Sequence, residues 1–86
     1  MTDKLYSAVW LIGWSWLRDF METENWRGHA NNILDNEYWQ NRKERSNALQ
    51  IIKSCLDVDI YRACYQVKTA MELDKLNHPE NYNRAM

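Results

Sequence analysis

The chain contains only two glycines and one proline among its 86 residues, and this scarcity is the strongest constraint on its fold. β-Sandwiches and β-barrels need many tight turns, which depend on those two residue types, so both architectures are disfavoured. Long stretches without a helix breaker instead favour α-helices joined by short connections. We therefore predict an all-α fold, a small antiparallel bundle of three long helices with a shorter segment between the first two.

The apolar periodicity and the helix-stopping residues locate these elements along a single domain, residues 1–86. We predict long helices over residues 3–23, 36–56 and 60–76. Residues 26–34 form either a short helix or a loop with one helical turn, because Gly28 and the Asn31-Asn32 pair weaken the helical pattern. Residues 77–86 are predicted to be an irregular tail, since they begin with Asn-His-Pro.

The apolar face of the first predicted helix is wider than one packed neighbour requires. At about 100° per residue its large apolar side chains span roughly 200°, whereas a surface helix typically needs little more than about 100°. They are Leu5, Tyr6, Val9, Trp10, Trp14, Trp16, Leu17, Phe20 and Met21. Two interpretations remain open. Either the tryptophans fill a small core, or Trp10 and Trp14, spaced i, i+4, contact another subunit or another protein.

Binding of the first predicted helix to a membrane is a less favoured alternative. The uncharged run from Leu5 to Leu17 spans only about 20 Å as a helix, which is too short to cross a bilayer. Membrane-surface helices usually carry more lysine and arginine on their polar face than this helix does. We therefore expect no transmembrane segment and an unprocessed, cytoplasmic chain.

A short basic and aromatic segment in the second long helix is the main candidate for polar recognition. Its residues are Tyr38, Trp39, Arg42, Lys43 and Arg45. The arginines are spaced i, i+3 on the side of the helix that carries Tyr38, where they would hold a phosphate or the carboxylates of a partner. The alternative is a solvated helix face. Nucleic-acid binding needs a broader basic surface than three cations offset by two glutamates.

The stretch NWRGHANN, residues 25–32, offers a third aromatic candidate. Trp26, Arg27 and His29 would form a recognition patch if the segment is a loop, since loops carry many binding residues. Alternatively, Trp26 covers one end of the core. We include Trp26 among the candidate partner contacts, beside Trp10 and Trp14.

Catalytic and metal-binding motifs are missing from the sequence. There is no glycine-rich phosphate loop, no His-Glu-x-x-His and no nucleophile elbow, so we predict that the protein is not an enzyme and has no cofactor. Cys55 and Cys64 lie far from both histidines in sequence, so a zinc site is not expected. Both thiols are predicted to be small core residues in a reducing cytoplasm.

These features favour a small helical binding or regulatory protein that engages a macromolecular partner sterically and also associates with itself. In general type the chain resembles the small accessory proteins of bacteria and their phages, many of which bind and block another macromolecule. The main alternative is a protein that binds a small nucleotide-like anion between aromatic rings and arginines. A weaker alternative is a helical nucleic-acid-binding protein.

Overall fold

The computed structural model describes residues 2–81, which contain α-helices and no strand, so the all-α prediction is confirmed. The helices are α1 (Thr2–Ile12), α2 (Trp14–Met21), α3 (Trp26–Leu34), α4 (Glu37–Gln40), α5 (Lys43–Lys53) and α6 (Asp57–Asn77). A short 3-10 helix, Pro79–Asn81, follows α6. This part of the chain contains six α-helices instead of the predicted three long helices and one short one. The number differs because two of the predicted long helices are each divided in two.

Gly13 divides the first predicted helix, so the prediction of one continuous helix over residues 3–23 is wrong. Its φ of 103° and ψ of 120° lie where residues with a side chain are strained. The Gly13 N–H donates to the Val9 carbonyl, and its own carbonyl accepts from the Leu17 N–H. Both polar backbone groups of Gly13 are therefore hydrogen-bonded across the break. The apolar face of α2 no longer continues that of α1: Ala8 is buried, while Trp16 is 40% exposed.

The conformation of Gly13 gives a testable effect on stability. Gly13→Ala is expected to lower the free energy of unfolding by about 1–3 kcal/mol, the usual cost of a sparsely populated backbone conformation. No atom lies within 4 Å of the added Cβ, so the loss comes from the backbone alone. Urea denaturation measures this loss.

Gly28→Ala in α3 is the matched control for that experiment. The atoms nearest to its Cβ would belong to the Asn25 side chain, with Nδ2 at 2.5 Å, and that side chain can move away. A helical alanine also gains about 0.5–1 kcal/mol over glycine, so the net change should be small. Equal losses in the two variants would contradict the special role of Gly13.

The second predicted helix, residues 36–56, is also divided, between α4 and α5. Arg42 has φ −122° and ψ 77°, which are not helical values. The Ser46 hydroxyl donates to the Trp39 carbonyl, and the Arg42 guanidinium donates to the Tyr38 carbonyl, so side chains replace helical bonds at the break. Leu56, the last residue of the predicted helix, is 69% exposed because α5 ends before it.

The remaining elements agree more closely with the predicted bounds. The segment 26–34 is a helix, α3, which removes the loop interpretation. The last helix begins at Asp57, three residues earlier than predicted, and places Asp57 and Asp59 in its first turn, where carboxylates favour the helix dipole. Of the predicted tail, Pro79–Asn81 is a 3-10 helix, and residues 82–86 lie outside the described residues.

One cluster of buried apolar side chains holds the helices together, and α1 packs against α2, α5 and α6. Spacings of i, i+3, i+4 and i+7 give each long helix one buried stripe. The buried residues are Leu5, Ala8, Val9 and Ile12 of α1; Leu17 and Met21 of α2; Trp26 and Ala30 of α3; Ala48, Leu49 and Ile52 of α5; and Ile60, Ala63, Cys64 and Val67 of α6.

Both cysteines are free thiols, with Cys64 buried and Cys55 half-buried. Burial raises the pKa of the Cys64 thiol, and the nearby Arg18 guanidinium opposes that shift only in part. A raised pKa keeps the Cys64 thiol protonated at neutral pH, and the protonated form is the unreactive one.

Candidate functional site

A row of aromatic rings joins α2 to α4 at the protein surface. Trp16 stacks on Phe20, with ring centroids 5.0 Å apart and an interplanar angle of 11°. The Trp16 ring also lies 6.2 Å from the ring of Trp39. At its inner end, Phe20 contacts the buried Trp26 ring edge-to-face. The row therefore connects the core to an exposed surface, which we call the aromatic surface: Trp16, Phe20, Tyr38 and Trp39.

A cleft of about 510 Å³ opens beside this row. It is lined by Phe20, His29, Asn32, Ile33, Asn36, Tyr38 and Trp39. Its volume falls within the range of ligand-binding pockets, about 300–1,000 Å³. One wall is formed by His29, Asn32, Ile33 and Asn36, which follow one face of α3 and its C-terminal end at spacings i, i+3, i+4 and i+7. The rings of Phe20, Tyr38 and Trp39 form the other wall. The cleft therefore combines flat apolar walls with amide and imidazole groups.

The two arginines of the segment lie against the rings of α4. The Arg42 guanidinium carbon is 3.6 Å from the centroid of the Tyr38 ring, and that of Arg45 is 5.4 Å from the Trp39 ring. Arg42 also donates to the Tyr38 carbonyl at 2.9 Å. The Arg45 Nε atom is buried and has no hydrogen-bond partner within the described part of the chain. Stacking thus holds both cations against two of the rings that line the cleft.

The amino end of α5 breaks the local rules for a stable helix. Its N-cap position is occupied by Arg42, and no side chain caps its first N–H groups. Lys43 and Arg45 follow in the first turn, where the helix dipole disfavours cations by about 0.3–1 kcal/mol each, while Glu44 between them is favoured there. Helices α2, α3 and α6 also lack a side-chain cap, so the three cations within residues 42–45 are what distinguish this helix end. Uncapped N–H groups and three cations together make this end attractive to carboxylates.

The predicted contact residues Trp10, Trp14 and Trp26 have different environments. Trp10 is 39% exposed on α1, with its ring edge-to-face against Tyr6. Trp14 is half-buried, and the cations of Arg18 and Lys68 lie 5.9 and 5.7 Å from its ring centroid. Trp26 is only 6% exposed, so its ring belongs to the core and has little surface to offer a partner.

Arg27, considered above as part of a recognition patch, connects three elements of the fold. Its guanidinium donates to the carbonyls of Lys53 and Cys55 and to the Asp57 carboxylate, 2.7 Å away. These bonds join α3 to the connection between α5 and α6. They also satisfy carbonyls at the end of α5 that have no partner within that helix. Of the three residues in the suggested patch, only His29 lines the cleft.

Sequence reasoning missed several residues of this site. Trp16 and Phe20 were assigned to a continuous apolar arc, although their i, i+4 spacing matches a surface pair equally well. Asn32, Ile33 and Asn36 are not among the residues that the sequence predicts for the site, because the pattern over 26–34 is compatible with a loop as well as a helix. In a helix over these residues, spacings of i+3 and i+4 from His29 place Asn32 and Ile33 on the same face, and Asn36, at i+7, follows just beyond the end of α3.

Comparison with protein-family models, curated proteins and solved structures finds no match to the chain. Within residues 2–81, no helix is long and apolar enough to cross a membrane.

Proposed function

We propose that this chain is a small, non-enzymatic helical binding protein that acts sterically, by covering a surface of a protein partner. The contact is the aromatic surface together with Arg42, Lys43 and Arg45. The observation that carries this proposal is the start of α5, where cations occupy the positive end of an uncapped helix beside exposed aromatic rings. Such an arrangement weakens the isolated helix and suits an acidic partner.

The composition of the surface matches that of interface centres. Tryptophan, tyrosine and arginine dominate binding energies at protein interfaces, and this surface presents all three. Tyr38 is 54% exposed and Trp16 is 40% exposed, so both rings have apolar area left to bury. Stacking on the rings holds the planar guanidinium groups of these arginines in a fixed orientation, which suits bidentate pairing with carboxylates.

The local charge differs in sign from that of the whole chain. The chain has a formal net charge of −1. At the start of α5, residues 42–45, Arg42, Lys43 and Arg45 outnumber Glu44 by three to one, while Asp35 and Glu37 lie in the segment before it. We infer that the partner presents an acidic segment with an apolar side chain for the cleft.

Site-specific photo-crosslinking tests this assignment in the cells that produce the protein. We expect a photoreactive phenylalanine in place of Tyr38 to give one discrete adduct with a partner protein. Tyr65 on α6 is the matched control, because it is also a tyrosine and is 69% exposed. The same group at position 65 should not capture that partner.

The unlabelled protein should compete with formation of the Tyr38 adduct. An adduct that forms equally from both positions, or one that excess unlabelled protein does not suppress, would mean that the aromatic surface has no specific partner.

A second candidate function follows from the chemistry of the cleft. Rings that form flat walls, with Asn32 and Asn36 side chains beside them, also suit a nucleobase, and the arginines suit its phosphate. The Asn36 side-chain oxygen already accepts from the Tyr38 N–H, which leaves its amide NH₂ available as a donor. A nucleotide would be detected as co-purifying nucleobase absorbance or as a rise in melting temperature on addition of nucleotides.

A further inference from the structure

Helix α6 carries apolar side chains on two opposite faces. One face is buried in the core through Ile60, Ala63, Cys64 and Val67. The opposite face, which we call the outer face of α6, is exposed along its whole length. Its residues fall within about 60° of one line along the helix, at about 100° per residue. They are Val58, Tyr61, Arg62, Tyr65, Thr69, Glu72, Leu73 and Leu76.

The outer face leaves a large apolar area in contact with water. Its five large apolar side chains range in exposure from 43% at Tyr61 to 80% at Leu76. One apolar stripe is enough to pack a surface helix against its own fold, and the described part of the chain leaves this second stripe uncovered. Contiguous exposed apolar surface of this kind marks a contact with another protein surface.

The charges of the outer face make α6 complementary to itself when it is reversed. Arg62 lies five residues before Val67, and Glu72 lies five residues after it. When a second α6 runs antiparallel with both copies of Val67 at one level, Arg62 of each copy is level with Glu72 of the other. The Arg62 guanidinium forms no ion pair within residues 2–81, so it is available to this carboxylate.

The apolar residues of the face fit the same arrangement. Positions 58, 62, 65, 69, 72 and 76 are separated alternately by four and three residues. This is the spacing of the residues along which two helices meet in a coiled coil. In the antiparallel pair these residues form three kinds of layer, and the two-fold axis makes each layer twice. The layers are Val58 with Leu76, Arg62 with Glu72, and Tyr65 with Thr69.

The other charges beside the outer face do not oppose this pairing. The Lys68 ammonium lies 3.8 Å from the Glu72 carboxylate of its own chain and 5.7 Å from the centroid of the Trp14 ring. These contacts draw Lys68 toward α2 and away from its copy across the axis. The remaining charges balance in sign: Asp59 and Lys75, which the reversal brings to one level, and Arg18 and Glu22 on α2.

We propose that the outer face of α6 binds the same face of a second copy of this chain, antiparallel and about a two-fold axis. The charges select this orientation, because a parallel pair would place Arg62 against Arg62 and Glu72 against Glu72. The paired stretch is about 27 Å long and includes a charged layer, so we expect a dimer that dissociates on dilution. The outer face shares no residue with the aromatic surface, and the dimer does not depend on the function proposed above.

Exchanging the charges tests the proposal. Arg62→Glu and Glu72→Arg are each expected to raise the dimer dissociation constant about tenfold, because the two-fold axis repeats each like-charge contact. The double variant should restore the original constant, since each pair is re-formed with reversed signs. Glu24→Arg, at an exposed residue between α2 and α3, is the matched control and should leave the constant unchanged. Analytical ultracentrifugation across a dilution series measures the constant, and circular dichroism verifies that every variant is folded.

Disulfide formation tests the orientation of the pair. Val58→Cys and Leu76→Cys variants, each also carrying Cys55→Ser, are mixed in equal amounts and oxidised. Antiparallel pairing brings positions 58 and 76 of different copies to one level, so we expect disulfides between unlike chains. Two copies of the same variant hold their new thiols about 27 Å apart, which is too far for a disulfide. Mass spectrometry identifies the linked chains.

A monomer at every concentration would overturn the proposal, as would a dimer that the single charge reversals leave unchanged. Weakening that the double variant fails to reverse would also overturn it. So would disulfides that form as readily between like chains as between unlike ones. The adduct at position 38 is scored separately, so failure here leaves the function of the aromatic surface to its own experiment.

Discussion

Arg42→Glu combined with Arg45→Glu is expected to abolish capture of the partner at position 38 while the melting temperature stays nearly unchanged. The change replaces two cations at the edge of the cleft with carboxylates, so an acidic partner is repelled where it was attracted. It also removes the guanidinium groups from the Tyr38 and Trp39 rings. Removing one partner of an interface charge pair typically costs about 2–5 kcal/mol, and reversing its sign costs more.

The fold should tolerate this double change. Position 45 lies in the first turn of α5, where a carboxylate is favoured by the helix dipole and a cation is not. Glutamate and arginine have similar helix propensities. Arg42 is exposed, so water can replace its bond to the Tyr38 carbonyl, and the buried Nε of Arg45 has no acceptor that its removal would leave unsatisfied. Loss of capture can therefore be attributed to the surface, provided that circular dichroism shows unchanged helicity.

A control with the same change in net charge completes the experiment. Arg62→Glu with Lys68→Glu places two carboxylates on α6, and capture at position 38 should persist. If the Arg42/Arg45 variant still captures the partner at full yield, the arginines are only a solvated helix face. If both double variants lose capture, the partner responds to overall charge and not to this surface.

Leu49→Ala is expected to lower the free energy of unfolding by about 2–5 kcal/mol, the range for a leucine truncated in a packed core. Leu49 is 0% exposed on α5, and the loss combines lost burial with the cavity left behind. Leu56→Ala makes the identical chemical change at a side chain that is 69% exposed. There we expect a change within about 0.5 kcal/mol.

The pair of leucines also tests where α5 ends. A helix continuing through residue 56 would place Leu49 and Leu56, seven residues apart, on one face and make both losses large. Urea denaturation of the two variants measures this difference directly, provided that the unfolding free energy falls with urea concentration at the same slope in both. Comparable losses would show that Leu56 is packed and that α5 continues beyond Lys53.

The sequence was sufficient to predict the helical class and part of the buried face of the first predicted helix (Leu5, Val9, Leu17 and Met21), because apolar residues recur at helical spacing. It did not reveal the break at Gly13. A single glycine within a helical pattern is commonly tolerated at a cost of about 1 kcal/mol, and the apolar period runs through it without interruption. The break changes which residues are buried on either side of it. Ala8, which is not part of the predicted apolar face, is buried, and Trp16, which is part of it, is 40% exposed.

The candidate site was predictable only where its residues are close in sequence. Tyr38, Trp39, Arg42 and Arg45 lie within eight positions, so helical spacing alone suggested that they share a surface. The contact between Trp16 and Trp39 depends on how α2 packs near α4, and no local pattern contains that information. Helical spacing predicts a contact at Trp14, whereas the structure places the exposed Trp16 ring beside Trp39.

The bonds from Arg27 affect how the cleft would respond to an occupant. They fix the beginning of α3, and the cleft wall formed by His29, Asn32 and Asn36 extends from that fixed point. Much of the conformational entropy of this wall is therefore lost when the chain folds, and little remains to be lost when a partner binds. A partner bound to a cleft wall that is already ordered should dissociate slowly, because preorganisation raises affinity mainly by lowering the dissociation rate.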